Sequence, residues 1–137
     1  MTMNERYEKW QIFGIYLLLI VFVMICGSSM AQTSVTDRTF KYCEKGKAVV
    51  EFWADWNKDN MCTEWLVDIE GAKYYIMDVN SDKAKEYKIK VLPTLIILND
   101  GIEVDRLEGN IQFQLCPRRT PKKVQAIINE LDNLNRY

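Results

Sequence analysis

Two short apolar runs restrict the fold more than any other feature of this sequence. Ala48-Val49-Val50-Glu51-Phe52-Trp53 and Thr94-Leu95-Ile96-Ile97-Leu98 carry branched and aromatic side chains on successive residues, without the alternation of a strand that has one wet face. Runs of this kind belong to strands covered on both faces, and such a sheet needs helices on each side. The rest of the sequence supplies them. Residues 36–44 predict a first helix with Phe40 and Cys43 on one face, ending before Lys45-Gly46-Lys47. Met61, Cys62, Trp65, Leu66 and Ile69 fall at helical spacing and predict a second, stopped by Gly71. Ser81 or Asn80 can cap a short helix through Tyr87. Thr120-Pro121 reads as the cap and first position of a final helix, with Val124, Ile127, Ile128, Leu131 and Leu134 on one stripe. Residues 74–78 predict another strand, and Asp100-Gly101 is a tight-turn signal that folds residues 102–107 back as a hairpin. The predicted architecture is α/β, a small central mixed sheet covered by helices on both faces.

The N-terminus follows other rules. Residues 11–36 carry no charge, and residues 12–26 are almost wholly apolar. A short polar start, this run and then Ser29-Met30-Ala31 match a secretory signal with small residues at the −3 and −1 positions, which puts the mature start at Gln32. Two alternatives stay open. The uncharged stretch reaches the ~20 residues that span a bilayer, so it also fits an uncleaved membrane anchor. Cys26 is a candidate lipid-attachment site, although Ile25 stands where such signals want a small residue. All three predict export, to the periplasm or cell envelope, of a domain covering residues 32–137, with residues 1–31 as signal or anchor.

Composition narrows the chemistry. The formal net charge is −1, and the first 31 residues hold two acidic and two basic side chains, so the exported part keeps the same balance. No charge excess points to nucleic acid. The absence of histidine excludes imidazole acid–base catalysis and most zinc or copper sites, so neither a metal nor another cofactor is expected. Past residue 31 there are three cysteines, Cys43, Cys62 and Cys116, with no C-x-x-C spacing among them. An odd number leaves at least one thiol unbridged.

Two separated motifs carry a family resemblance. Val50-Glu51-Phe52-Trp53-Ala54-Asp55-Trp56 resembles the thioredoxin strand that runs into the active-site tryptophan. Val91-Leu92-Pro93-Thr94, an apolar strand and Asn99-Asp100-Gly101 resemble that family's cis-proline loop and hairpin. The resemblance covers about residues 36–134 and implies a thioredoxin-like fold. It also implies that the attacking and resolving cysteines should stand at residues 57 and 60, where this chain has Asn57 and Asn60. Dithiol exchange needs a thiolate at the first position and a second thiol to release the mixed disulfide. A carboxamide supplies neither, although asparagine suits a helix N-cap.

What remains is a binding groove. The resemblance implies a cis bond at Pro93, with the Leu92 backbone open to strand addition by an extended partner and Trp56 flanking it. The blander alternative is that Trp56 and Pro93 only preserve the fold. Residues 110–120 look like an insertion, with Ile111, Phe113 and Leu115 alternating before Cys116-Pro117-Arg118-Arg119, that either fills the groove or extends it. Arg118, Arg119, Lys122 and Lys123 offer either an anion contact or a solvated face. Glu51, where the family carries a buried acid, is either a perturbed acid or a relic paired with a lysine or exposed at the strand end. Cys62 is an inert core residue, a partner of Cys116 in a disulfide, or a reactive thiol. The site expected here is Trp56, Asn57, Asn60, Leu92, Pro93 and Phe113, binding a protein or extended peptide without redox chemistry. The alternatives are a single-thiol oxidoreductase using Cys62 with Cys116, and a structural subunit of a membrane complex held by residues 12–26.

Overall fold

The computed structural model describes residues 3–25, 33–66, 68–115 and 118–136, and within them all side chains except those of residues 19, 21–25 and 65. The cut between Ala31 and Gln32, Cys26, Cys116 and the Trp65 side chain on the expected stripe therefore lie outside the described residues. The chain divides into two compact units, Met1–Ala31 and Gln32–Tyr137. The first holds α1 (Met3–Ile25), whose side chains from Trp10 to Leu18 are exposed. Among the described residues no helix is long and apolar enough to cross a membrane.

In the second unit, the double-sided burial predicted for the two apolar runs sets the architecture. β2 (Lys47–Trp53) is central, parallel to β3 (Lys73–Asp78) on one side and antiparallel to β4 (Thr94–Asn99) on the other. β5 (Ile102–Glu108) closes one edge as the hairpin partner of β4, and β1 (Thr33–Val35) closes the other, parallel to β3. The sheet order is β1-β3-β2-β4-β5. Side chains alternate between two cores, as the strand period requires. Ala48, Val50, Phe52, Ile96, Leu98 and Met77 pack with Phe40, Cys43 and Ala84 on one face. Val49, Leu95 and Ile97 pack on the other with Cys62 and Leu66, and with Val124, Ile128 and Leu131 of α4 (Thr120–Leu134).

Three elements differ from expectation. β1 falls in a short polar stretch for which the sequence predicts no element, because pairing with β3 supplies the backbone hydrogen bonds that such a stretch would otherwise give to water. The first helix shrinks to a 3₁₀ turn, Phe40–Tyr42, because Thr36 and Thr39 satisfy one another's backbone and side chains and compete with helical bonding. The second is a single turn, α2 (Thr63–Leu66), which stops well short of Gly71, where the sequence placed its end. Two details match the local chemistry. Ser81 Oγ accepts the Ala84 N–H at the start of α3 (Asp82–Glu86), and Asp100 and Gly101 both take positive φ in the hairpin turn. Arg106 on β5 makes a two-pronged ion pair with Glu103 and donates to the Tyr87 carbonyl, pinning the hairpin to the end of α3.

Phe52 is fully buried and Ile102 is 71% exposed on the edge strand. Phe52→Ala should therefore cost roughly 3–5 kcal/mol in urea denaturation. Ile102→Ala should stay within about 0.5 kcal/mol of the parent.

Candidate functional site

The register of the sheet brings three segments to one end. Phe52 near the end of β2 faces Thr94 at the start of β4, and Thr94 faces Glu108 at the end of β5. Residues after 53, before 94 and after 108 consequently meet at that edge. The first is a broken 3₁₀ segment, Asp55–Asn60, with Asn57 out of helical geometry at its kink. The second contains the Leu92–Pro93 bond, which is cis, with Thr94 Oγ1 donating to the Val91 carbonyl. The third begins at Gly109, whose N–H donates to the Pro93 carbonyl. A Cβ at Gly109 would stand 2.7 Å from the Leu92 carbonyl oxygen and 2.9 Å from Pro93 Cδ, so this position accepts no side chain without backbone movement.

Residues 110–115 then fold onto the 55–60 segment through a chain of carboxamides. Gln114 Nε2 donates to Asn60 Oδ1 at 3.1 Å, and Asn60 Nδ2 donates to Asn57 Oδ1 at 2.7 Å. Asn57 Nδ2 donates to the Phe113 carbonyl at 3.2 Å, which closes the loop. Beside it the Phe113 ring meets Trp56 edge-on, with centroids 5.0 Å apart. That geometry suits the quadrupoles of the two rings. Asn57 is buried, whereas Trp56 is 66% and Phe113 45% exposed. The two asparagines, expected as cap residues, do not cap a helix. Their side chains reach across to the insertion, because a carboxamide can donate and accept at once and the insertion offers partners for both.

Behind this surface lies a second polar group. Glu51 is fully buried in β2 and accepts the Cys62 N–H at 2.9 Å. Tyr74 of β3 donates its hydroxyl to the same carboxylate. No lysine pairs with Glu51 among the described residues and it is not exposed, so the relic reading is corrected. Burial raises the Glu51 pKa, opposed by hydrogen bonds from Tyr74 and Cys62. The Cys62 thiol is pushed far up, first by burial and then by the neighbouring carboxylate. Tyr74 moves upward for the same two reasons. Cys43, in the opposite core, is raised by burial to about 12. Both cysteines are free and buried.

Of the expected site residues, Trp56, Asn57, Asn60 and Phe113 come together in direct contact, while Leu92 and Pro93 pack under Gly109 at the same sheet edge. A Cys62–Cys116 bridge involves a residue outside the description. Arg118, Arg119, Lys122 and Lys123 are exposed, with Lys123 3.9 Å from Asp105. Sequence reasoning missed Asn110, Gln114, Gly109 and Tyr74. Asn110 was the legible one, since an asparagine opening a loop commonly accepts from the next backbone amides, as its Oδ1 does here from Gln112 and Gln114. Among the described residues no cluster of His, Cys, Asp or Glu is arranged to hold a metal ion.

A five-stranded mixed sheet with helices on both faces, and a cis-proline loop opposite the end of the central strand, defines a thioredoxin fold. No family model matches the chain. Thioredoxins of Staphylococcus aureus strains Mu50 and MW2 are 34% identical to it over 89 residues, 58% of this chain and 86% of theirs. The solved structure of a mutant thioredoxin from Halobacterium salinarum NRC-1 shares the fold at TM-score 0.55 and 18% identity, over 72% of this chain and 95% of that one. Thioredoxin from Malassezia sympodialis does so at TM-score 0.55 and 24% identity, over 73% and 90%. The chain belongs to the thioredoxin family.

Two predictions follow from the geometry. A carboxyl whose pKa is raised by folding contributes stability below its ordinary value near 4.3 and loses it as pH rises through the raised one. Urea denaturation of the parent, compared with Glu51→Gln, should show a relative loss of stability as pH rises above about 4, and the variant should lack this component. Gly109→Ala should destabilise by about 1–3 kcal/mol, because the methyl group meets a backbone carbonyl instead of a movable side chain.

Proposed function

We propose that this chain is an exported, redox-inactive member of the thioredoxin family that binds an extended polypeptide beside the Leu92–Pro93 bond. The observation that carries this reading is the employment of residues 57 and 60. Where the resemblance places an attacking and a resolving cysteine, two asparagines are bonded to each other and to residues 113 and 114. Neither can form a thiolate. The described thiols, Cys43 and Cys62, are buried and hold their protons at neutral pH, so they are poor nucleophiles.

Support for binding comes from the groove backbone. Among the described residues no hydrogen bond engages the N–H or C=O of Leu92, whereas the next carbonyl, that of Pro93, is taken by Gly109. Strand addition uses main-chain groups left in this condition. Support for export comes from the uncharged stretch of residues 11–36 and the small residues Ser29 and Ala31. The same stretch, if retained, would tether the domain to the membrane, which is also the basis of the structural-subunit alternative.

The single-thiol alternative needs Cys62 to reach solvent from full burial and ionise next to a buried carboxyl. One assay separates the readings. Reduction of a disulfide substrate with dithiothreitol as electron donor should proceed no faster with this protein than without it. Turnover that disappears in Cys62→Ser would establish the single-thiol enzyme instead. The combined Asn57→Cys and Asn60→Cys substitutions should introduce exchange activity, since the fold around those positions is otherwise that of the family. For binding, Trp56→Ala should abolish partner capture from the native envelope, and unchanged capture would sink the groove.

A further inference from the structure

We infer that residues 110–114 are a tethered internal ligand of the Trp56, Asn57 and Asn60 site, and that its external partner is a peptide turn of the same chemistry. Such a peptide offers a backbone carbonyl to Asn57 Nδ2, a carboxamide side chain to Asn60 Oδ1 and an aromatic ring edge-on to Trp56. The inference deepens the binding role proposed above and rests on it.

The site has the properties of a receptor. Asn57 is 6% exposed, and both polar atoms of its side chain are engaged, one by Asn60 and one by a main-chain carbonyl. A main-chain carbonyl is a group that any peptide carries, so the contact specifies a peptide without specifying this loop. The residues on either side of it set the preference. Phe113 places its ring against Trp56, and Gln114 completes the carboxamide chain at Asn60.

The loop, for its part, has the properties of a ligand. It keeps its own shape through internal bonds: Asn110 Oδ1 accepts from the N–H groups of Gln112 and Gln114, the Phe113 N–H reaches the Asn110 carbonyl, and the Asn110 N–H reaches the Gln114 carbonyl. It can therefore dock and undock as a unit. Phe113 sits at φ 58°, a left-handed conformation that a bulky residue adopts at a cost, and its contacts with Trp56 and Asn57 offset that cost. Ile111, 95% exposed, takes no part. A segment attached one residue beyond β5 is present at a high effective concentration, so it outcompetes a free peptide of equal intrinsic affinity. The apparent affinity of any external partner is reduced by the fraction of chains whose loop is undocked.

The test uses the full chain and a fluorescent peptide with the sequence of residues 109–115, Gly-Asn-Ile-Gln-Phe-Gln-Leu, blocked at both ends. Asn110→Ala with Gln114→Ala removes the loop's internal acceptor and its side-chain bond to Asn60 while leaving Trp56, Asn57, Asn60 and Phe113 in place. Both altered residues are exposed, so the core is untouched. Nuclear Overhauser contact between the Trp56 and Phe113 rings reports docking, and fluorescence anisotropy reports peptide binding. The expected result is loss of the ring contact together with peptide binding at least about tenfold tighter than in the parent. Adding Asn57→Ala should cancel the gain, and a peptide with Ser in place of Phe should not show it. A lost ring contact with unchanged affinity would overturn the inference, as would a gain indifferent to Asn57→Ala. Survival of the ring contact in the double variant would show that these bonds do not hold the loop, which also defeats it. The proposed function fails by different signs: thiol-exchange turnover would end the redox-inactive reading without altering the peptide result, and absent peptide binding would leave strand addition at Leu92 untouched.

Discussion

The antiparallel pairing of β2 with β4 is the constraint on which the rest of this domain depends. It joins two strands whose side chains are buried on both faces, with Val50 against Ile96 and Phe52 against Thr94. Full burial of a side chain the size of valine or phenylalanine contributes roughly 1.5–3 kcal/mol, and a slip of one residue would send each set to the opposite core. The register is thereby fixed. Once fixed, it carries the 55–60 segment, the Leu92–Pro93 bond and the loop after β5 to a common edge. The site is thus a consequence of strand register before it is a matter of particular side chains.

At that edge the side chains differ from those of a dithiol site. A dithiol site needs a reactive sulfur at a helix start and keeps its surroundings open for a substrate. Here the corresponding positions carry carboxamides, which are neutral at every physiological pH and saturate by forming pairs. The result is a closed polar ring at the surface. Beneath it Glu51 is buried, held by Tyr74 and by the backbone of Cys62. Its present effect is structural: it ties β2, β3 and the start of α2 into one hydrogen-bonded group, and it makes that group sensitive to pH.

Most of the sheet was legible because its signals are local and repeated. The apolar runs at 48–53 and 94–98, the Asp100-Gly101 turn and the stripe of α4 each speak through several residues at once. β1 was not legible, since Thr33-Ser34-Val35 is short and polar and becomes a strand only through its partner. The first helix failed for the opposite reason: its apolar spacing is real, but Thr36 and Thr39 spend their hydrogen bonds locally. Within the site, Trp56, Asn57, Asn60 and Phe113 could be named from sequence, but the bonds among them could not. The bonds that cross between the two segments join residues more than fifty positions apart, and nothing in the spacing of Asn57 and Gln114 announces a shared network.

The placement of the two buried thiols has a consequence for the life of the molecule. Cys43 belongs to one core and Cys62 to the other, with the sheet between them. While the chain is folded, these sulfurs are screened from each other and from oxidants. They can meet only in a chain that has lost its sheet. An oxidising surrounding therefore reaches these two sulfurs only in chains that open, where a bond between residues 43 and 62 would cross what should be the middle of the domain. Such a bond would hold an opened chain out of its native packing until a reductant broke it.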